Sequence, residues 1–178
     1  MARDRREINR QFVALHKAYV EGDLDGLKRA LGDPSDFPNC IQPFDLGMSD
    51  DPLGYAVYWS PLPFIERLLD LGADPNYPDP CGIPSLHAII SAQDRPDRHD
   101  RLRLLLARGA SVEQRGFNDW TPLHQAVNRR DVEAVRILLA HGADPAARTN
   151  IDDYTTPEED ATRLGFTELV ALLREARR

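Results

Sequence analysis

The sequence predicts an all-α repeat solenoid of about five helix–turn–helix units, and two recurring motifs support this prediction. The letters LLDLGADPN, LLARGASVE and LLAHGADPA begin at residues 68, 105 and 138. A second motif falls between them as DPLGYA, PSLHAI, TPLHQA and TPEEDA, beginning at residues 51, 84, 121 and 156. The glycines of the first motif, Gly72, Gly109 and Gly142, are 37 and 33 residues apart. A period of this length indicates units that each bury their apolar face against a neighbour.

The first two units differ in regularity. Residues 8–40 form a degenerate unit that we expect to cap the stack, with Gly22 between two helices. Residues 51–83 are better formed and place Pro52 in the first turn of a helix, where its missing N–H is not needed. We call the connection between two units a finger. The finger at 33–50 is about five residues too long, and insertions in repeats often lie on the binding face.

The third unit, residues 84–117, has a longer connection between its two helices than the other units. This connection is the polar segment QDRPDRHD at 93–100, and Pro96 keeps it out of a helix. We expect Leu86 and Leu102, on either side of it, to lie in the core because they continue the apolar pattern.

Residues 118–150 form the most regular unit. Thr121 can accept a backbone N–H at the start of its first helix, and Gly142 supplies the left-handed conformation that ends the second. A single apolar stripe on the second helix consists of Val132, Val135, Leu138 and Leu139. The next finger, 148–155, is about two residues too long. Residues 156–178 form a second capping unit, whose polar tail REARR suits the end of a stack.

With these motifs, T-P-L-H-x-A above all, the chain resembles the ankyrin-repeat family over nearly its whole length. The resemblance implies one ankyrin-repeat domain over residues 1–178, an ankyrin stack with two capping units, and β-hairpin-like fingers. It also implies a concave face that binds a partner protein. Three histidines, His16, His87 and His124, stand in the histidine position of the motif. The resemblance implies that each hydrogen-bonds backbone in the adjoining turn.

The net charge and the distribution of apolar residues argue against several classes of protein. The formal net charge of -7 argues against nucleic acid and against an anionic membrane surface, both of which attract basic proteins. No stretch approaches the roughly 20 apolar residues of a membrane span, and no secretory signal precedes the first unit. We therefore expect a cytoplasmic protein whose two cysteines are reduced thiols. The twenty arginines against two lysines favour a bacterial source.

Residues that could carry chemistry have simpler structural interpretations. No histidine pair has the H-x-x-x-H spacing of a metal site, and no acidic segment matches the calcium-loop pattern. The acidic run from Glu158 to Asp160 follows Pro157, where the helix dipole favours negative charge. Asn76 stands where family members can be hydroxylated, but we interpret it as a turn asparagine. A reactive thiol at Cys81 has no supporting feature. We predict no enzyme, no catalytic residue, no cofactor and no metal.

The predicted partner-binding residues come from the inner surface of the first helices and from the fingers. Aromatic residues and arginine dominate the energetic centres of interfaces, and aromatics gather at these positions. Some could instead be packed, Trp120 on the next finger and Tyr58 on the first finger. The candidates are Tyr55, Tyr58, Trp59, Tyr77, Arg115, Phe117, Trp120, Gln125, Asn128, Arg129 and Asp152.

These features favour a small stand-alone binding module, a monomeric adaptor or regulator that binds another protein. Its acidic balance would suit a basic partner. Two alternatives stay open. One is an inhibitor or immunity-type protein that blocks a single target, and the other is a host-directed secreted effector. The fold alone does not decide among them.

Overall fold

A computed structural model describes residues 5–42, 50–78, 83–150 and 154–178 of the 178-residue chain. Within these ranges the chain forms five helix pairs, and a single-turn 3-10 helix at Phe117–Asp119. The pairs are α1 Arg5–Glu21 with α2 Leu24–Leu31, α3 Pro52–Trp59 with α4 Leu62–Asp70, α5 Ser85–Ser91 with α6 Arg98–Ala107, α7 Pro122–Asn128 with α8 Val132–Ala140, and α9 Pro157–Arg163 with α10 Thr167–Ala176. The predicted all-α repeat solenoid is confirmed. The extent of the domain, residues 1–178, stays a prediction.

The helices stack in two rows. The first helices α1, α3, α5, α7 and α9 pack against one another in chain order, and α6, α8 and α10 pack in the same way in the second row. Equivalent leucines of successive first helices are fully buried, namely Leu15, Leu53, Leu86 and Leu123. The second helices contribute Leu27, Leu68, Leu105 and Leu138. One apolar core therefore runs through the stack between the rows.

Helix starts and ends follow local chemistry. Thr121 accepts a hydrogen bond from the His124 N–H, and Asp51 plays the same part for the Gly54 N–H at 2.9 Å. Pro52 lies in the first turn of α3, as predicted. At the end of α8, Gly142 has φ of +87°, the left-handed conformation predicted for it.

Asparagine side chains fix the register between consecutive units. Asn76 donates from Nδ2 to the Gly109 carbonyl at 2.9 Å, and its Oδ1 accepts from the Ser111 N–H at 2.6 Å. Asn39 makes the same pair of bonds one unit earlier, to the Gly72 carbonyl and the Asp74 N–H. The interpretation of Asn76 as a turn asparagine agrees with these contacts.

The fingers are closed by single backbone hydrogen bonds rather than by strands in the described ranges. The bonds run from Gln42 N–H to Asp50, from Gly116 N–H to Trp120, and from Thr149 N–H to Thr155, each to a carbonyl oxygen. They enclose residues 43–49, 117–119 and 150–154 respectively. The insertions in the fingers at 33–50 and 148–155 stay predictions, because residues 43–49 and 151–153 lie outside the described ranges.

The connection in the third unit is shorter than predicted. The helix α6 begins at Arg98, so the link covers only 92–97. Two arginines of this region cap the preceding unit: Arg95 Nε donates to the Tyr58 carbonyl at 2.6 Å and Arg101 Nη1 to the Val57 carbonyl at 3.0 Å. Both carbonyls belong to the last turn of α3, where positive charge is favoured.

Candidate protein-binding groove

A groove of about 780 Å³ lies where the first helices meet the fingers. Its floor comes from α5 and α7, and one wall comes from the finger before α7. The lining residues are Tyr58, Ile83, His87, Ser91, Phe117, Asn118, Trp120, Gln125, Asn128 and Arg129. Six predicted partner-binding residues are therefore brought together at one place.

The floor of the groove is a closed polar network. Gln125 Nε2 donates to the His87 carbonyl and to the Ser91 hydroxyl, while its Oε1 pairs with His87 Nδ1. The other ring nitrogen of His87 lies 3.0 Å from the Gln114 carbonyl. Because these polar atoms already have partners, the floor is rigid and contributes few new hydrogen bonds to a ligand.

The wall of the groove is aromatic. Asn118 and Asp119 both have positive φ, 56° and 60°, as in the two central residues of a primed turn, and the Trp120 N–H donates to the Phe117 carbonyl. This turn leaves the Phe117 side chain 70% exposed. An exposed aromatic ring beside a preformed groove is typical of a binding surface.

A second cavity of about 640 Å³ adjoins the first, since both are lined by Tyr58 and Ser91. It also contains Trp59, which is 40% exposed and meets the His16 ring edge-on at 5.2 Å between ring centroids. Val20 of α1 adds a further half-exposed apolar side chain. The two cavities form a continuous concave surface, called the groove surface below.

Tyr55 does not belong to this surface, and the expectation that it is exposed is wrong. It is only 3% exposed, because α1 packs over the start of the stack. Its ring lies 4.7 Å from that of Tyr19, and its hydroxyl lies 2.9 Å from His16 Nδ1. Burial raises the pKa of Tyr55.

Arg115 and Tyr77, which were also predicted, line neither cavity. Arg115 joins two fingers, donating from Nη1 to Asp119 Oδ2 at 2.9 Å and to the Arg148 carbonyl at 2.7 Å. Tyr77 is half-buried, and burial followed by the nearby Asp51 carboxylate raises its pKa. Asp152 lies outside the described residues, as does Cys81.

The histidines have structural roles. His124 Nε2 lies 3.0 Å from the Thr155 carbonyl, as His87 lies near Gln114, so both reach the following finger. His16 differs, because its described partner is the Tyr55 hydroxyl rather than backbone. Burial lowers the pKa of both His87 and His124, which keeps them neutral near pH 7.

Other groups that could carry chemistry are occupied or inaccessible. Asp131 is buried, caps α8 through the Ala134 N–H, and receives Arg98 Nε at 2.9 Å and His99 Nε2 at 2.8 Å. Cys40 is buried, and burial raises its pKa to about 11, which is unfavourable for a thiolate. Among the described side chains, no group of three or more histidine, cysteine or carboxylate residues could hold a metal ion.

The sequence of this chain is similar to one protein family and to several individual proteins. Residues 53–149 and 86–177 match the family described as ankyrin repeats (3 copies). The chain is 33% identical over 103 residues to the RelA-associated inhibitor of Mus musculus, covering 57% of this chain and 12% of that protein. It is 36% identical over 106 residues to neurogenic locus notch homolog protein 4 of Homo sapiens, covering 59% and 5%.

A third relative, inversin of Gallus gallus, is 30% identical over 129 residues, covering 72% of this chain and 11% of that protein. The chain therefore spans only a small part, 5% to 12%, of the length of these three relatives. No helix within the described ranges combines the length and the apolar character needed to cross a bilayer.

Proposed function

Since this chain belongs to the ankyrin-repeat family, whose repeats form protein–protein interaction modules, we propose that it is an adaptor or regulator that binds a partner protein on the groove surface. The single observation that carries this proposal is the exposed ring of Phe117 beside a preformed groove. Aromatic side chains supply much of the binding energy of protein interfaces. The partner would cover Phe117, Trp120, Tyr58 and Trp59.

We assign the protein no catalytic role. The polar side chains on the floor of the groove bond one another, and His87 has partners on both ring nitrogens. A general base needs a free nitrogen within reach of a substrate proton. A cytoplasmic location, a monomeric state and a bacterial source remain part of the proposal.

An inhibitor that blocks one target is a second candidate. The RelA-associated inhibitor of Mus musculus, to which this chain is similar, is named for that activity. An inhibitor would capture one protein in an equimolar complex and reduce that protein's activity. An adaptor would leave the captured protein active and join it to a second one.

The test is affinity capture with matched variants of the whole chain. Phe117→Ala and Trp59→Ala remove exposed rings from the groove surface, and both variants should lose a protein that the wild type captures. Leu71→Ala is the control, because Leu71 is similarly exposed but lines neither cavity. Capture that both groove variants retain at the wild-type level would move the binding site elsewhere.

A further inference from the structure

The charge of the groove differs from that of the whole protein. The chain carries a net charge of -7, yet no carboxylate is among the described residues that line the larger cavity. The only formally charged side chain in that lining is Arg129, which is exposed at the end of α7. Electrostatic complementarity is set by the charge that faces the ligand, not by the net charge.

Two backbone acceptors at the ends of first helices are already occupied, while the exposed carboxylate of Asp94 lines the second cavity but not the larger one. Carbonyl oxygens at the end of a helix carry partial negative charge and attract cations. Here Arg95 Nε occupies the Tyr58 carbonyl at 2.6 Å, and Gln93 Nε2 donates to the Arg129 carbonyl at 3.1 Å. Side chains of the link between α5 and α6 thus each satisfy one carbonyl oxygen at the end of a first helix.

The guanidinium group of Arg129 is available to donate hydrogen bonds to a ligand. Within the described part of the chain, no hydrogen bond or ion pair involves its guanidinium group. Guanidinium groups bind carboxylates through two parallel hydrogen bonds, which are stronger than bonds between neutral groups. Among the described residues, the nearby Asn128 donates from Nδ2 to the His124 carbonyl at 3.3 Å and its Oδ1 has no donor, so this oxygen can accept a bond from a peptide N–H.

The volume of the groove suits a linear segment. A concavity of about 780 Å³ is within the size range of pockets that enclose a small ligand, so it has room for a few side chains of an extended segment. Phe117, Trp120 and Tyr58 all line this cavity, so they can offer apolar contacts to a large side chain of the segment.

We propose that the partner presents an acidic linear segment to the groove surface, an inference that rests on the proposed function. A large apolar side chain of the segment would lie between Tyr58 and the Phe117–Trp120 wall. An adjacent carboxylate would bind Arg129. The expectation of a basic partner, drawn from net charge, is the competing outcome.

The test is selection from a random peptide library displayed on phage, with the whole chain as the target. Selected peptides should be enriched in Asp or Glu next to an aromatic or large aliphatic residue. Labelled synthetic copies should bind Arg129→Glu at least about tenfold more weakly than wild type, because a charge-assisted bond is replaced by repulsion. Their affinity should also fall with added salt.

Arg67→Glu is the matched control, since Arg67 is an exposed arginine in the last turn of α4 and lines neither cavity. It should leave peptide affinity within about twofold of wild type. Circular dichroism melts of both variants check that the fold is retained.

Three outcomes would overturn the inference or its premise. Peptides enriched in Lys or Arg that lose affinity with Phe117→Ala would contradict the acidic segment but support the groove as the site. Peptides whose affinity is unchanged by both Phe117→Ala and Arg129→Glu would contradict the proposed function. A library that yields no groove-dependent peptide would contradict a linear ligand.

Discussion

The Asn76 side chain shows how one amide can join two units. It donates to the Gly109 carbonyl and accepts from the Ser111 N–H, so both ends of the amide are bound to the next unit. Intramolecular hydrogen bonds contribute roughly 0.5–1.5 kcal/mol each to stability. Asn76→Ala should therefore lower the free energy of unfolding by about 1–3 kcal/mol, as urea denaturation would measure.

The control for this substitution is Asn150→Ala. Asn150 is an exposed finger asparagine whose side chain makes no hydrogen bond within the described residues. Its replacement should change the free energy of unfolding by less than about 0.5 kcal/mol, as is usual for surface sites. Equal losses for both variants would contradict a bridging role for Asn76.

Leu138 represents the buried leucines of the second helices. It is fully buried in α8 and belongs to the apolar stripe predicted from the sequence. Leu138→Ala should cost on the order of 2–5 kcal/mol, because lost apolar burial is added to the cost of a cavity. In denaturant melts, Leu164→Ala should lower the free energy of unfolding far less, because Leu164 is half-exposed. A loss below about 1 kcal/mol at Leu138 would contradict its place in the core.

The link between α5 and α6 works as a cap for the preceding unit. Arg101 is 1% exposed and joins the Val57 carbonyl to Asp97 Oδ2 at 2.8 Å. Burial of an arginine is costly unless its charge is paired, and here Nη1 and Nη2 have partners while the buried Nε has none within the described residues. It fixes the long link against the end of α3, so two helices that are not consecutive in sequence become coupled.

Arg101→Ala should destabilise the protein by about 2–4 kcal/mol, because it removes packing and two hydrogen bonds and leaves the Val57 carbonyl without its partner. Arg103→Ala is the control, since Arg103 forms exposed ion pairs with Asp100 and Glu133. Exposed pairs contribute 0–1 kcal/mol. Urea melts that give similar losses for both variants would show that Arg101 is not a structural cap.

The contrast between Thr121 and Arg101 shows what the sequence could predict. Thr121 with Pro122, and the glycines that end second helices, act within a few residues, so their roles follow from local spacing. The role of Arg101 depends on a carbonyl 44 residues earlier in the chain. Such a partner is set by the packing of whole helices, and no local pattern reveals it.

In the candidate site too, the sequence could predict the positions that depend on local structure but not those that depend on distant residues. The Phe117 side chain is exposed because it lies in a tight turn of the finger. Tyr55 was misplaced because its exposure depends on α1, whose degenerate sequence conceals how closely it packs. The distance from a residue to its partner along the chain thus decides whether sequence alone can place it.

The stack as a whole is joined by contacts that each connect one unit to the next. His87 and His124 are two of these, because each is buried in a first helix and reaches the carbonyl of the following finger. In a repeat protein, stability is approximately a sum over units and the interfaces between them. Groups that titrate at two successive interfaces therefore affect the stability of the entire molecule.

Both histidines have a pKa below the usual 6.5, with burial as the main cause. The unfolded chain binds protons at these sites near pH 6.5, while the folded protein binds them only at lower pH. The associated stability is fully present above pH 6.5 and is lost as the pH falls through the folded-state pKa values. The free energy of unfolding should decline between pH 7 and pH 5, by at most about 1.4 kcal/mol per pH unit for each histidine.

Replacing both histidines separates this effect from that of the carboxylates. The double variant His87→Gln with His124→Gln should be less stable than wild type at pH 7 but should lose less stability between pH 7 and pH 5. Asp97, whose pKa the bound Arg101 guanidinium lowers, contributes stability above pH 3.8 that is lost only on further acidification. Below pH 4 both proteins should therefore lose stability in parallel. Urea denaturation at half-unit pH intervals would measure both slopes, and an unchanged slope above pH 5 in the double variant would assign the pH dependence to other groups.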